Sequence, residues 1–328
     1  MFDFVPQRPI PQEQDATIRL AVWTLMNDVY RDIQLPQTLY HYTDAGGLKG
    51  IVESGLLRAT HLAFMNDASE YLHAVSLLAR EIDQALLSES DPLRISLLKE
   101  VKDPVSLAGP QHVGPYFVSC LSSEENSLNQ WRAYGRGEGG YSIGFDLVKL
   151  NQDVLGLDGV LAPVIYEPSR QLALVQKLLQ WGLSEYQKVA ATIPINDRDE
   201  HRRDWAHMFL WRATAAAPLI KNPAFVEERE WRIIFRPAWK EQVRLLPRST
   251  GLAPFVELKL GAPAAEISSE RLKHLGRASL PDRLPITKLW SGPGRATDTS
   301  LLAGRTLLEQ MGYDGVSLEA SKIPFRVG

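Results

Sequence analysis

The sequence predicts an α+β protein with a mixed, mainly antiparallel central sheet that is interrupted by helical insertions. Short strand-like segments bounded by Gly and Pro outnumber strand–helix–strand units, which argues against a doubly wound parallel sheet. A block rich in Leu, Ala, Gln and Trp at about residues 168–220 separates two groups of these segments and indicates helices. The 45% hydrophobic and 23% charged fractions are those of a globular protein.

We expect an N-terminal arm and helix over residues 1–37, followed by one α+β domain over residues 38–328 with a helical insertion at about 168–220. Apolar residues recur with helical spacing in 16–33. The first strand of the domain is predicted immediately after this region. No internal repeat or low-complexity tract argues for further domains.

The first elements of the domain have clear local signals. Residues 38–42 predict a short strand, and Asp44 is a good N-cap for a helix over 45–54. Gly55 ends that helix, because glycine tolerates the left-handed conformation at a helix C-terminus. Residues 68–102 are predicted to be mostly helical. The predicted strand and the helix after it place residues 41–43 where a strand end meets a helix N-terminus, which is a common position for a functional site.

The remaining strands are predicted from buried-type or alternating apolar segments. A helix over 299–311 lies between the last two of them. The predicted strands are 116–121, 141–147, 161–166, 230–235, 255–260, 286–290 and 315–318.

Composition narrows the classes of protein that fit. Cys120 is the single cysteine, so no intrachain disulfide and no cysteine zinc site can form, as expected in a reducing cytoplasm. The N-terminal residues lack the pattern of a signal peptide, and no apolar run is long enough to span a membrane. The formal net charge of −3 gives no global attraction to nucleic acid, although it leaves room for a local basic patch.

The acidic segment that begins the 230–235 strand is one candidate site. Because strand side chains alternate, we expect Glu228, Glu230 and Arg232 on one face. Arg229 and Trp231 then point the other way. A glutamate on such a face could act as a general base or stabilise a cation, and Arg232 could hold a carboxylate or phosphate. The alternative is a solvated edge strand with an internal ion pair.

A second candidate is His41-Tyr42-Thr43. Histidine at a strand end can bind a ribose hydroxyl or act in acid–base chemistry, and the neighbouring Tyr42 can stack on a flat ring. The alternative is a histidine and a tyrosine that pack in the core near a helix cap.

A third candidate combines Ser119 with Trp131, Arg132 and Tyr134, which precede a glycine-rich loop at 135–140. Indole, guanidinium and phenol groups could form the wall of a polar binding site. The alternative is a short capped helix whose aromatic residues pack inward. No phosphate-binding loop, dinucleotide fingerprint or metal-binding spacing is present in the sequence, so we expect no metal.

Several of these blocks together resemble the bacterial DUF2971 family, whose function is unassigned. The resemblance runs from about residue 38 to the C-terminus. Its blocks are Leu39-Tyr40-His41-Tyr42-Thr43 with Gly55-Leu56-Leu57-Arg58, Asn66-Asp67 with Glu70, Phe117-Val118-Ser119-Cys120-Leu121-Ser122 with Gln130-Trp131-Arg132 and Tyr134-Gly135, Glu228 with Glu230-Trp231-Arg232, and Ser321 with Ile323-Pro324-Phe325-Arg326.

The same blocks more loosely resemble ADP-ribosyltransferases. In order along the chain, His41 is similar to their ribose-binding histidine, Ser119 to the serine of their second motif, and Glu230 to their catalytic glutamate. The long separation of His41 from Glu230 requires helical insertions, and the resemblance does not decide between Glu228 and Glu230. It implies that His41, Ser119 and Glu230 converge around one pocket.

This resemblance implies NAD as substrate, cleaved at the nicotinamide–ribose bond, with transfer to a protein or nucleic-acid acceptor or to water, an activity of the kind found in toxins and phage-defence effectors. Tyr42 or Tyr134 would stack on nicotinamide, and Arg132 or Arg58 would meet the pyrophosphate. Two alternatives remain open: a non-catalytic module that binds a nucleotide or a protein partner, and a scaffold whose charged strand is only an ion-pair network.

Overall fold

The computed structural model describes most of the chain from residue 29 onward. The expected N-terminal arm, nearly all of the helix predicted over 16–33, and Asn66 and Asp67 lie outside the described residues. The described residues are 29–30, 32–65, 69–106, 114, 116–135, 139–237, 239–248, 251–263, 272–273, 275–276 and 279–324.

The chain divides into two compact units, each assembled from separate stretches of sequence. The first unit consists of Met1–Gln34, His61–Tyr116 and Val164–Phe225. The second unit consists of Leu35–Thr60, Phe117–Pro163 and Val226–Gly328.

Helices and strands alternate irregularly along the chain, and the predicted α+β class with a mainly antiparallel sheet is confirmed. The helices are α1 (Ala45–Ser54), α2 (Ser69–Ser88), α3 (Pro92–Ser106), α4 (Leu128–Tyr134), α5 (Leu147–Gly156), α6 (Pro168–Ala190), α7 (Arg198–Ala213) and α8 (Thr297–Gln310). The strands are β1 (Thr38–Thr43), β2 (Leu56–His61), β3 (Phe117–Ser122), β4 (Tyr141–Asp146), β5 (Val160–Pro163), β6 (Glu230–Phe235), β7 (Arg244–Arg248), β8 (Gly251–Lys259), β9 (Ile286–Ser291) and β10 (Ser317–Ala320).

Within the described residues these strands form one sheet. Its main path runs β10-β9-β4-β1-β3-β2-β8-β7, and β6 pairs with both β3 and β5. The pairs β1–β3, β1–β4, β3–β6 and β4–β9 are antiparallel, whereas β9–β10 is parallel. Strand β3 therefore lies between β1 and β6, two strands that are far apart in the sequence.

The predicted signals at the start of the second unit produce the expected elements. Asp44 accepts a hydrogen bond from the Gly47 amide at 2.7 Å and so caps α1. Gly55 ends α1 with a left-handed φ of 68° and donates its amide to the Ile51 carbonyl at 2.9 Å. The capping prediction and the strand before it are both confirmed.

The second unit buries one face of its sheet under helices. Leu39, Ile143 and Phe145 are fully buried and share this face because His41 pairs with Ile143 in the β1–β4 register. Helices α1, α5 and α8 pack against β1, β4 and β9. The apolar residues of the central strands therefore form a layer between sheet and helices.

The first unit contains packed helices joined by a buried polar network. Gln171 donates to the carbonyls of Ile165 and Lys221, each at 2.7 Å, and its amide oxygen lies 3.0 Å from Nε2 of His73. Lys221 pairs with Glu70 at 3.0 Å, and both side chains are buried. In the part of the chain that the structure describes, no helix is long and apolar enough to cross a bilayer.

Candidate functional site

Three adjacent strands of the second unit carry His41, Ser119 and Glu230, which the sequence singled out. Ser122 of β3 pairs with Tyr40 of β1 on one side and with Glu230 of β6 on the other. Directly paired residues in a sheet project from the same face, so Tyr40, Ser122 and Glu230 lie side by side. Further along the same row, Tyr40 pairs with Gly144, which pairs with Lys288.

Glu230 is held by Arg232 on this face. Nε of Arg232 donates to one carboxylate oxygen at 2.8 Å and Nη2 donates to the other at 3.0 Å. The two side chains retain 5% and 1% exposure. A bidentate pair of this kind fixes the orientation of a carboxylate as well as compensating its charge. The predicted strand over 230–235 and the shared face of Glu230 and Arg232 are both confirmed.

Glu228 lies outside the strand, so the alternation expected from the sequence does not place it on that face. It ends a short 3₁₀ segment, Pro223–Glu228, and the strand begins only at Glu230. Arg229 between them has a left-handed φ of 43°, which breaks the alternation before the strand starts. Strand alternation therefore accounts only for Glu230 and Arg232 of the expected row.

The turn before β6 is held through its backbone. The Glu228 carbonyl accepts from Oγ of Ser122 at 2.8 Å and from Nε2 of the buried Gln130 at 3.3 Å. The Ser123 amide donates to the Arg229 carbonyl at 3.1 Å. A non-glycine residue in the left-handed region persists when its surroundings determine its conformation, and such residues concentrate at functional sites.

His41 and Ser119 belong to the opposite face of the sheet from Glu230. His41 alternates with Tyr40, and Ser119 lies three residues before Ser122. Oγ of Ser119 is buried and has no hydrogen-bond partner among the described residues. The structure thus brings His41, Ser119 and Glu230 onto neighbouring strands without bringing the three side chains to one face.

The His41 ring lies between β1 and β3. Strands β1 and β3 are paired at one position, Tyr40–Ser122. Beyond that pair, Nδ1 of His41 lies 2.9 Å from the Cys120 carbonyl. A carbonyl oxygen only accepts, so Nδ1 carries the proton and Nε2 of the neutral ring is an acceptor. Burial lowers the pKa of His41, while its bond to Cys120 acts in the opposite direction. The neutral ring is therefore favoured near pH 7.

The residues proposed as an aromatic wall separate into two groups. Trp131 is buried, meets Tyr42 edge to face at 4.7 Å between ring centroids, and donates from Nε1 to Oδ1 of Asn126 at 2.9 Å. Arg132 and Tyr134 lie on the exposed side of α4, with 39% of Tyr134 exposed. Trp131 therefore packs inward, as the alternative for this segment predicts, whereas Tyr134 faces solvent.

Tyr42 also organises the loop after β3. Its hydroxyl donates to the Glu124 carbonyl at 2.7 Å and accepts from the Ser127 amide at 3.0 Å. Burial raises the pKa of Tyr42, so the phenol stays protonated. Tyr42 therefore holds the 123–127 loop in place through two hydrogen bonds to its backbone.

Thr43 ends β1 against the first turn of α1. A Cβ atom at position 47 would lie 1.8 Å from Oγ1 of Thr43, so only glycine fits at Gly47. Thr43 is partly buried in this contact. The junction between strand and helix is therefore closely packed around the backbone.

Glu125 and Lys288 form a charged group that was not recognised in the sequence. It lies at the Tyr40–Gly144–Lys288 end of the paired residues described above. The carboxylate of Glu125 accepts from the Tyr40 hydroxyl at 3.0 Å and from Nζ of Lys288 at 2.8 Å. The Lys288 hydrogen bond holds the pKa of Glu125 below its ordinary value. Lys288 also lies 5.9 Å from the centroid of the Trp290 ring.

Other residues missed in the sequence act through the loop between β3 and α4. Oδ1 of Asn126 accepts from Trp131 and from Oγ of Ser321, the latter at 2.7 Å. Ser321 follows β10, so this bond ties the C-terminal motif to the loop. Ser321 begins the last of the blocks that resemble DUF2971, which was a signal in the sequence, whereas nothing marked Asn126.

Within the described ranges, no group of three or more His, Cys, Asp or Glu side chains could hold a metal ion. A concavity of about 330 Å³ in the second unit lies beside Arg305, Leu308, Tyr313 and Val316, away from the β1–β3–β6 residues.

Comparison with known proteins gives one match. The family model described as "Protein of unknown function (DUF2971)" matches residues 130–233, from α4 to β6. The predicted resemblance to this family is confirmed over that segment, which includes Trp131, Glu228 and Glu230 and excludes His41 and Ser119. No curated protein and no solved structure matches the chain.

Proposed function

We propose that this protein is an ADP-ribosyltransferase-like enzyme that cleaves NAD at the nicotinamide–ribose bond and transfers ADP-ribose to an acceptor or to water. The observation that carries the proposal is the arrangement of β1, β3 and β6. Glu230 begins a strand beside Ser122 of β3, and the His41 ring enters the space where β1 and β3 stop pairing. We further propose that the sheet is of the ADP-ribosyltransferase type and that the enzyme is cytoplasmic.

The chemistry requires a negative charge close to the ribose. When the glycosidic bond breaks, the bonding electrons leave with nicotinamide and positive charge develops on the ribose ring. A carboxylate oriented in advance stabilises that charge without reorganising. Arg232 orients Glu230 through two hydrogen bonds to its carboxylate.

The proposed roles of the other residues come from the resemblance to ADP-ribosyltransferases. Nε2 of the neutral His41 accepts a hydrogen bond from a ribose hydroxyl. Ser122, and not Ser119 as the resemblance implied, takes the place beside the glutamate, since it is the β3 residue paired with Glu230. Tyr134 and Arg132 are the exposed groups of α4 that remain candidates for nicotinamide and pyrophosphate contacts.

The test measures nicotinamide release from NAD by the wild-type chain and by Glu230→Gln. We expect the variant to lose at least about 100-fold in kcat, because the charge that stabilises the transition state is removed. Glu227→Gln is the matched control: Glu227 is exposed, bonds Asn129 at 2.7 Å and lies outside the strand. A folded wild-type protein with neither NAD binding nor turnover in cell extract would contradict the proposal.

The buried Glu230–Arg232 pair favours a second function, a binding module without catalysis. A carboxylate with 5% exposure that is already bonded twice to a guanidinium also suits a purely structural pair. In that case the exposed side chains of α4 recognise a nucleotide or a protein partner.

Calorimetry separates the two functions. Titration of wild type and Glu230→Gln with NAD, ADP-ribose and a short oligonucleotide gives their dissociation constants. Binding that is equal in both proteins, with no nicotinamide released, supports the binding module. Turnover that disappears in the variant while binding remains supports the enzyme.

A further inference from the structure

Glu125, in the loop between β3 and α4, lies over the same face of the sheet as Glu230. The Tyr40 hydroxyl donates to Oε2 of Glu125 at 3.0 Å, so Glu125 is on the side from which Tyr40 projects. Tyr40 pairs with Ser122, which pairs with Glu230, and directly paired residues share a face. The backbones of Tyr40 and Glu230 are therefore two strand spacings apart, about 10 Å.

Two donors bind the same carboxylate oxygen of Glu125. Nζ of Lys288 donates to Oε2 at 2.8 Å, and the Tyr40 hydroxyl donates to that oxygen too. Neither of these bonds uses Oε1, and 46% of the Glu125 side chain is exposed. The carboxylate is therefore anchored through one oxygen while solvent still reaches the side chain.

The loop on either side of Glu125 is also held in place. The Glu124 amide donates to Oγ of Ser122 at 3.1 Å, and Oδ1 of Asn126 accepts from Nε1 of Trp131 at 2.9 Å. A catalytic group needs such positioning, because a displacement of about 1 Å can cost about 100-fold in rate.

Cleavage of NAD by water contains a proton transfer that the proposed role of Glu230 does not cover. The electron pair of the broken C–N bond leaves with nicotinamide, which departs neutral because its ring nitrogen was cationic. A C–O bond forms from water, and this water must lose a proton. In inverting glycoside hydrolysis a second carboxylate takes that proton, and the two carboxyl groups lie about 6.5–9.5 Å apart with the water between them.

We propose that Glu125 is the general base of the reaction and that its Oε1 takes the proton of the attacking water. The inference rests on the proposed function, in which Glu230 stabilises the charge on the ribose. Lys288 and Tyr40 are positioning residues, because they act through Oε2 of Glu125. The Lys288 hydrogen bond is the main cause that holds the pKa of Glu125 below its ordinary value, so the base is ionised at neutral pH. Its exposure lets the proton pass on to solvent.

The test compares nicotinamide release from NAD by wild type, Glu125→Gln and Glu124→Gln. We expect Glu125→Gln to lose at least about 100-fold in kcat with KM changed by less than about twofold, because a base acts on the chemical step. Glu124→Gln is the matched control and should keep the wild-type rate. Glu124 lies next to Glu125 in the loop, is 40% exposed and contacts Arg229 in an exposed pair.

Sodium azide provides a readout that a purely structural role of Glu125 would not change. Azide is an anionic nucleophile that bonds to the ribose carbon without losing a proton, so it needs no base. We expect azide to restore nicotinamide release by Glu125→Gln, and mass spectrometry should identify the azide adduct of ADP-ribose.

Lys288→Met tests the anchoring of the base. Because Lys288 lowers the pKa of Glu125, its removal should raise that pKa. The acid limb of the pH profile of kcat should then move to higher pH, since the base must be ionised to act. An unmoved acid limb would contradict the proposed role of Glu125, even if Glu125→Gln failed to fold.

Two further results would overturn this inference alone. The first is a wild type that turns over NAD while Glu125→Gln keeps its kcat. The second is a loss of activity in Glu125→Gln that azide does not restore, although thermal unfolding shows that the variant is folded. A wild type without NAD turnover would instead contradict the proposed function, and this inference with it.

Discussion

Arg232 and Arg229 are three residues apart, yet their ion pairs differ in almost every physical respect. Arg232 keeps 1% of its side-chain exposure and bonds both oxygens of Glu230, whereas Arg229 keeps 65% and meets Glu124 through one contact at 2.8 Å. Removing one member of a buried pair leaves a charge without solvent or partner. An exposed pair loses little, because water replaces the missing group.

We therefore expect Arg232→Met to lower the free energy of unfolding by about 3–5 kcal/mol. The matched variant Arg229→Met should cost less than about 1 kcal/mol. Urea denaturation measures both values, and Glu230→Gln/Arg232→Met should lose less stability than the sum of its single variants. Additive losses in the double variant would show that the two side chains are not coupled.

Single residues also mark the limit of what the sequence could predict at the site. The strand at Glu230 was predictable from its apolar and charged pattern. The break in the alternation at Glu228 was not predictable. It depends on the left-handed φ of Arg229, a conformation that an arginine in a sequence does not predict. The resemblance singled out Ser119, whereas the pairing of β3 with β6 places Ser122 directly beside Glu230.

Helix α1 contains two glycines whose surroundings predict opposite effects of alanine. Gly50 lies in the helix interior, and a Cβ there would meet nothing within 4 Å. Gly55 has a φ of 68°, and a Cβ there would lie 2.2 Å from the Asp282 carbonyl oxygen. At position 50, glycine only lowers the helix propensity, whereas the backbone at position 55 requires glycine.

We expect Gly50→Ala to raise the free energy of unfolding by about 0.5–1 kcal/mol. Gly55→Ala should lower it by at least about 1 kcal/mol, because the backbone is strained and the Asp282 segment must move. Thermal and urea unfolding compare the two variants under the same conditions. A stabilised Gly55→Ala would contradict the assigned end of α1.

Elements with strong local signals were the ones that could be predicted. The cap at Asp44 and the alternating segment of β8 are clear in the sequence. The region over 68–102 is helical as predicted, but it is divided into two helices because Asp91 caps α3. Strands β2 and β7 were missed. β2 begins with two adjacent leucines, and β7 contains Pro247 and is largely exposed, so neither has a clean apolar alternation.

At the scale of the whole molecule, acid should destabilise the protein through buried histidines. Burial lowers the pKa of His41, His61 and His201, and that of His61 falls to about 4. Each folded-state pKa lies below the unfolded value, so the associated stability is complete above the unfolded pKa of about 6.5. It is lost as pH falls towards the folded-state pKa, because the unfolded chain takes up protons first.

His61 alone should account for about 3 kcal/mol of the stability lost between pH 7 and pH 4. We expect His61→Gln to flatten the dependence of unfolding free energy on pH by about this amount. Urea midpoints measured at several pH values for both proteins give the comparison. An unchanged pH profile would show that His61 takes up protons equally in the folded and unfolded states.

The bond between Ser321 and Asn126 has a consequence for the order of events during synthesis. Asn126 leaves the ribosome early, but its Ser321 partner emerges only after 194 intervening residues. The 123–127 loop, which positions Glu124 and Glu125 beside the candidate site, therefore lacks one of its hydrogen bonds throughout most of translation. A nascent chain released before Ser321 would carry every residue of the proposed catalytic group without the contact that completes their surroundings.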